Sequence, residues 1–193
     1  MEPWITFGAG IALGAIAGHW YTVWARRARF LIRSTSSGSN AAGEWWYNIE
    51  FALAPVRIGP WRWGVAGSRE PAHHCHAWLR EIGGANQELG LRWISESGTA
   101  DDDLVSIGPG DARQVAVFGG LVGGRAHVID SGAHSEALGG YPLVPGPSSF
   151  SEPKEFLLRV NHKDGTQVVD RLRVFPQLDG TWHVERRSRR RRR

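Results

Sequence analysis

Residues 44–53 read EWWYNIEFAL, and this stretch decides the fold class. Trp45, Tyr47, Ile49 and Phe51 alternate with Trp46, Asn48 and Glu50. A period of two among aromatic and β-branched residues marks a strand with one buried face. Pro55, Gly59 and Pro60 end the run. Working outward, short candidate strands follow at 61–65, 72–82, 88–95, 104–107, 114–118, 126–129, 155–161, 168–175 and 182–185. In the second of these, Cys75, Ala77 and Leu79 alternate with His74, His76, Trp78 and Arg80. Pro109-Gly110 reads as a turn, and residues 131–153, rich in Pro and Gly, as a loop. No segment after residue 43 keeps a helical period. Many short strands separated by turn residues predict a mainly β chain, an antiparallel sandwich or barrel spanning 44–185.

The first residues follow another rule. Residues 4–24 are 21 positions without an ionised side chain when His19 is neutral. As a helix they span about 30 Å, the thickness of a bilayer's hydrocarbon core. Trp4 stands at one end and Trp20, Tyr21 and Trp24 at the other, where headgroup-level aromatics belong. A buried core helix would explain neither these belts nor the Arg cluster that follows. Ala15-Ile16-Ala17 resembles a signal-peptidase site, but no Lys or Arg precedes the apolar run, as a cleaved signal requires. The expectation is a single transmembrane anchor with a basic flank over residues 1–33. Arg26, Arg27, Arg29 and Arg33 all follow the span, so the positive-inside rule puts the β domain on the cytoplasmic side of the cell membrane. Gly10, Gly14 and Gly18, flanked by Thr6 and Thr22, recur every four residues and form one smooth face. Such a face suits helix self-association. Residues 34–43, STSSGSNAAG, read as a flexible linker.

The formal net charge of +4 hides an asymmetry. Residues 34–185 hold 12 basic and 18 acidic side chains, whereas 186–193 hold seven Arg: Arg186, Arg187, Arg189, Arg190, Arg191, Arg192 and Arg193. An acidic body argues against a nucleic-acid-binding face on the domain. The terminal Arg run predicts a disordered tail able to contact anionic lipid or nucleic-acid phosphates. A single Cys excludes an intrachain disulfide.

One ordered pattern runs through the body. Ala72, Cys75, Ala77 and Leu79 are followed by Leu91 and Trp93, then by Ile107-x-Pro109-Gly110-Asp111-x-Arg113-x-Val115-x-Val117. Further strands at 156–161 and 172–175 follow, around Asp164-Gly165, with a last one near 180–184. The pattern resembles immunoglobulin-like β-sandwich modules of prokaryotic membrane-anchored proteins. The resemblance covers residues 44–185 and consists of core positions and turns, so it implies a fold and no activity. Residues 119–153 fall outside it and read as an insertion. A second Cys for an antibody-type bridge is missing.

Candidates for chemistry are few. His73, His74, Cys75 and His76 are the densest group of metal-ligand types, with His74 and His76 as the pair that a strand would point the same way. Alternation limits convergence on one ion, so these read chiefly as sheet residues around a buried Cys75. As a nucleophile Cys75 would need a base and an electropositive setting. Residues 119–125, GGLVGGR, lack the Lys-Ser/Thr ending of a phosphate loop and read as a hairpin connection or bulge. Asp101, Asp102 and Asp103 do not match EF-hand spacing. Trp45 and Trp46 are adjacent on a strand, so one of them must face outward. No catalytic constellation or cofactor motif emerges. The expectation is a membrane-tethered binding or scaffolding module without activity of its own, with a protein partner that the sequence does not name.

Overall fold

The computed structural model describes residues 13–20, 27–54, 70–84, 88–94, 100–101, 104–129, 149–163 and 165–187. Among these the chain is mainly β, and every strand pair is antiparallel. The strands are β1 (Phe30–Ser39), β2 (Glu44–Leu53), β3 (Ala72–Glu81), β4 (Glu88–Leu91), β5 (Trp93–Ile94), β6 (Ala100–Asp101), β7 (Val105–Ile107), β8 (Ala112–Leu121), β9 (Ala126–Val128), β10 (Ser149–Phe150), β11 (Lys154–His162), β12 (Gly165–Pro176) and β13 (Trp182–Arg186). One sheet runs β1-β2-β8-β5-β6, with β9 also on β8 and β10 on β9. The other runs β13-β12-β11-β3-β4, with β7 also on β3.

The alternation read from sequence is the alternation that packs. Trp45, Tyr47, Ile49, Phe51 and Leu53 of β2 are buried, as are Cys75, Ala77 and Leu79 of β3. They share one core with Phe156, Leu158 and Val160 of β11 and Leu172 and Val174 of β12. Aromatic rings join the sheets. Phe118 of β8 lies 5.2 Å from Phe156, and Phe150 lies 5.5 Å from Phe156 and 5.4 Å from Trp182. Burying one such aromatic side chain contributes roughly 2–3 kcal/mol.

The run 88–95 is not one strand. Leu91 ends β4 in one sheet, and Trp93 opens β5 in the other, leaving Arg92 alone between them. The Trp93 indole N–H donates to the Cys75 carbonyl at 3.1 Å, back across the interface.

The reading of 34–43 as a flexible linker is corrected. Residues 34–39 belong to β1, paired from Ser34↔Glu50 to Ser39↔Trp45, and 40–43 form the turn into β2. The strand lies on an edge and is largely exposed, so small polar side chains suffice. Its structure comes from backbone pairing with β2, and Gly38 leaves room for the Trp46 ring, which a Cβ there would meet at 2.8 Å. The boundary of the anchor at residue 33 moves too, because Ala28 and Phe30 are already core residues.

Of the apolar run 4–24, residues 13–20 are described. They form a short helix with exposed Leu13, Ile16 and Trp20. No helix among the described residues is long and apolar enough to cross a membrane. Gly14 and Gly18 sit on this helix with nothing within 4 Å of a Cβ built there. Gly10, the rest of the run, the candidate strand 61–65 and most of the loop 131–153 lie outside the described residues. Within 119–153, read as an insertion, β9 and β10 extend the first sheet.

Candidate functional site

Among the described residues, the strand registers define two ends of the fold. β1 starts opposite Leu53 and finishes opposite Trp45, so the near end, where the chain arrives, contains Phe30. Gly165–Gln167 lie there too: the Gln167 amide donates to the Phe30 carbonyl and accepts the Phe30 N–H, both at 2.9 Å. The far end holds the turns after β1, β8 and β12. The Val122 N–H donates to the Gly43 carbonyl and the Gly123 N–H to the Gly180 carbonyl, each at 2.7 Å.

The far end carries most of the exposed large apolar side chains of the β domain. Beyond the N-terminal helix, five large hydrophobic side chains are exposed among the described residues: Ile82, Leu104, Leu121, Val122 and Leu178. All but Leu104 sit on far-end turns. Hydrogen bonds hold this shape. Asp179 accepts from the Thr181 hydroxyl at 2.6 Å and the Thr181 N–H at 2.9 Å. These bonds favour the ionised carboxylate and hold its pKa below the usual range. Gly180, at φ +81°, packs so closely that a Cβ would lie 3.0 Å from the Gly123 nitrogen. Behind the turns, the Trp182 indole donates to the Gly124 carbonyl at 3.1 Å. Leu178 is left fully exposed on this tied turn. The glycine-rich residues 119–125 are therefore the end of β8 and its hairpin turn to β9.

The near end is polar. Arg27, Arg29, His162, Thr166 and Gln167, together with Ala28 and Gly165, line a cleft of about 370 Å³. The His162 ring stands edge-on to Phe30, 5.4 Å away. Lys163 ties into β3 through its N–H and the His73 carbonyl, at 3.1 Å.

The histidine group is split by a bulge. Pairing of β3 with β7 shifts register between Ala72 and Cys75, so both of these face the core while His73 and His74 are exposed. His74 has φ +54°. The His73 ring meets the Ser106 hydroxyl at 3.2 Å, and the His76 ring stacks on Trp78 at 4.3 Å. His74 and His76 both lie away from the core, alternating with buried Cys75 and Ala77, and the expected alternation fails only at His73, which faces out instead of sharing the face of Cys75. No group of three or more His, Cys, Asp or Glu is arranged for a metal among the described residues. Cys75 is fully buried, its thiol donating to the Ala72 carbonyl at 3.3 Å. Burial pushes its pKa up to about 11, so the thiol keeps its proton and is a poor nucleophile. Asp101 pairs with Trp93 in β6, and Asp102 and Asp103 lie outside the described residues.

The reading of a tail beginning at residue 186 is corrected as well. Arg186 is the last residue of β13, and its Nε donates to Asp170 at 2.8 Å. Asp170 faces the core with a side chain 1% exposed, and a carboxylate so enclosed requires a charged partner. The Arg187 N–H donates to the Arg171 carbonyl, and its side chain pairs with Glu155 at 3.2 Å. Arg186 and Arg187 are structural, while Arg189, Arg190, Arg191, Arg192 and Arg193 lie outside the described residues. Charge density in the sequence concealed this division. The near-end cleft was equally hidden, because its walls come from residues 27–29 and 162–167.

Comparison with protein-family models, curated proteins and solved structures finds no match.

Proposed function

We propose that this chain is a membrane-tethered binding or scaffolding module with no catalytic activity of its own. Its body is read as an immunoglobulin-like sandwich on the cytoplasmic side of the cell membrane. Residues 4–24 are the single span, and Gly10, Gly14 and Gly18 form its self-association face. The far end holds a protein partner.

One observation carries this reading: exposed apolar side chains gather on the turns furthest from the point where the chain arrives. Apolar clusters ringed by polar residues are what binding surfaces look like. Height favours protein over lipid as the occupant. β1 has ten residues, so the far end stands about 30 Å beyond Phe30. A lipid surface at the N-terminal side is out of reach of Leu178.

The direction of β13 favours a second role for the Arg tail, contact with anionic lipid. β13 runs from the far end back toward the near end, with Arg187 level with Arg171. Six residues follow Arg187 and can extend about 20 Å. Gln167, at the near end, is four residues from Arg171 along β12, or about 13 Å. The tail therefore reaches the side that the anchor enters.

Photo-crosslinking tests the reading directly. A photoreactive amino acid at position 178 or 122, in the full chain in native membranes, should give protein adducts. The same probe at 166 should give lipid adducts. Lipid adducts at 178, or none at 178 and 122 together, would overturn the proposed orientation.

A further inference from the structure

We infer that the free edge of β1, along residues 34–39, accepts an extended segment of a protein partner as an added antiparallel strand. Among the described residues β1 pairs with β2 alone. The turn into β2 shows which backbone groups are left over. The Asn40 N–H donates to the Glu44 carbonyl at 2.9 Å, so Asn40 turns its backbone toward β2. Backbone groups alternate sides along an antiparallel strand. Those of Gly38, Ser36 and Ser34 therefore point to β2 as well, and those of Thr35, Ser37 and Ser39 point outward. These residues offer a row of N–H and C=O groups that a short strand can meet in reciprocal pairs.

The other ends of the two sheets are guarded, and this one is not. Native sheets blunt their edges with short strands, charges, Pro or bulges. β6 has two residues and β4 has four. β13 has five and carries the charges of Glu185 and Arg186. β1 has ten, and from Ser34 to Ser39 it holds no charge, no Pro and no register shift. Its side chains there are small and mostly exposed, which leaves the backbone approachable. An edge of this kind is recognised through main-chain hydrogen bonds, with side chains adding selectivity. Arg33, in the bulge at the near-end limit of the segment, is exposed and makes no ion pair among the described residues. The occupant therefore carries a carboxylate at its C-terminal end, which an antiparallel strand brings to Arg33. A second copy is the wrong occupant. Two β1 strands paired antiparallel put one near end at the other's far end, and two anchors in one membrane forbid that. Only this choice of occupant rests on the membrane reading above; the open edge does not.

The test uses the full chain in detergent micelles and a short peptide of alternating Thr and Val that ends in Glu, with both termini blocked. Residue-resolved hydrogen exchange reads the contact. The peptide should slow exchange of the Thr35, Ser37 and Ser39 amides at least tenfold and leave those of Ser34, Ser36 and Gly38 unchanged. Peptide affinity should fall at least tenfold in Ser37→Pro, which removes an N–H that β2 does not use, and severalfold in Arg33→Gln. Equal slowing at both sets of amides, no slowing at millimolar peptide, or unchanged affinity in Ser37→Pro overturns the site. If Ser37→Pro misfolds, the pattern of amides in the wild type decides. Unchanged affinity in Arg33→Gln overturns the acidic occupant. Slow exchange at Thr35, Ser37 and Ser39 without peptide, quickening on dilution, assigns the edge to a second copy and overturns the choice of a partner. The membrane reading is judged apart from this, by the adducts at positions 166 and 178.

Discussion

The two ends of the sandwich are built from opposite materials. At the near end, polar groups spend themselves inward: Gln167 clasps Phe30, and Lys163 joins His73. At the far end, hydrogen bonds stay within and between the turns, and apolar side chains are left facing out. A hydrogen bond aimed into the fold stabilises it, while an exposed Leu stabilises nothing until something covers it. Near-end changes should therefore appear in stability, and far-end changes in binding.

The largest expected stability effect lies away from the far end, at the last residue of β13 opposite Leu172. A chain ending at Glu185 loses Arg186 and strands the Asp170 carboxylate in the core. It should lose about 2–3 kcal/mol in urea denaturation, below the range for a fully enclosed pair because Arg186 is partly solvated. A chain ending at Arg187 should match the full chain. Equal loss in both would mean the tail, not the ion pair, secures the strand.

Next, Gln167→Ala removes both bonds to Phe30 and should cost about 2 kcal/mol. Leu178→Asp, at the far end, should stay within about 0.5 kcal/mol of wild type while abolishing crosslinking from position 122. If the stability effects were reversed, the division between the ends would be broken.

A smaller effect concerns surface hydrophobicity. Replacing Leu121, Val122 and Leu178 with Ser should lower binding of a hydrophobic dye severalfold with melting unchanged, whereas the near-end Thr166→Val should not alter dye binding.

The smallest is chemical. Native Cys75 should resist alkylation at pH 8 and react once unfolded. The unfolded thiol ionises near 9 and the native one near 11. Its contribution to stability is therefore present below pH 9 and is lost as pH rises toward 11. Cys75→Ala should flatten that part of the pH profile; an unchanged slope would assign the loss to other groups.

What the sequence disclosed follows the same division. Alternation with large residues exposed the central strands, so Cys75, Ala77 and Leu79 were readable as inward. β1 was not readable, because an edge strand of Ser, Thr and Gly owes its form to backbone bonds with β2 and carries no apolar period. Arg186 was lost in a run of like residues, since only the neighbouring strand supplies Asp170. The bulge that turns out His73 arises from pairing with β7, about thirty residues away. The apolar far-end residues were each visible, but nothing in their spacing said that their turns meet.

Arg92 has a consequence for how the molecule opens. It is the single residue between a strand of one sheet and a strand of the other. Trp93 beside it is bonded to the backbone of β3. Opening either sheet must drag on the other within one residue of chain. Amide protons of β2 and β8 should then exchange with solvent at the same free energy as those of β3 and β11, as one unit. The outer residues of β1 and β13 exchange sooner, each from its own edge.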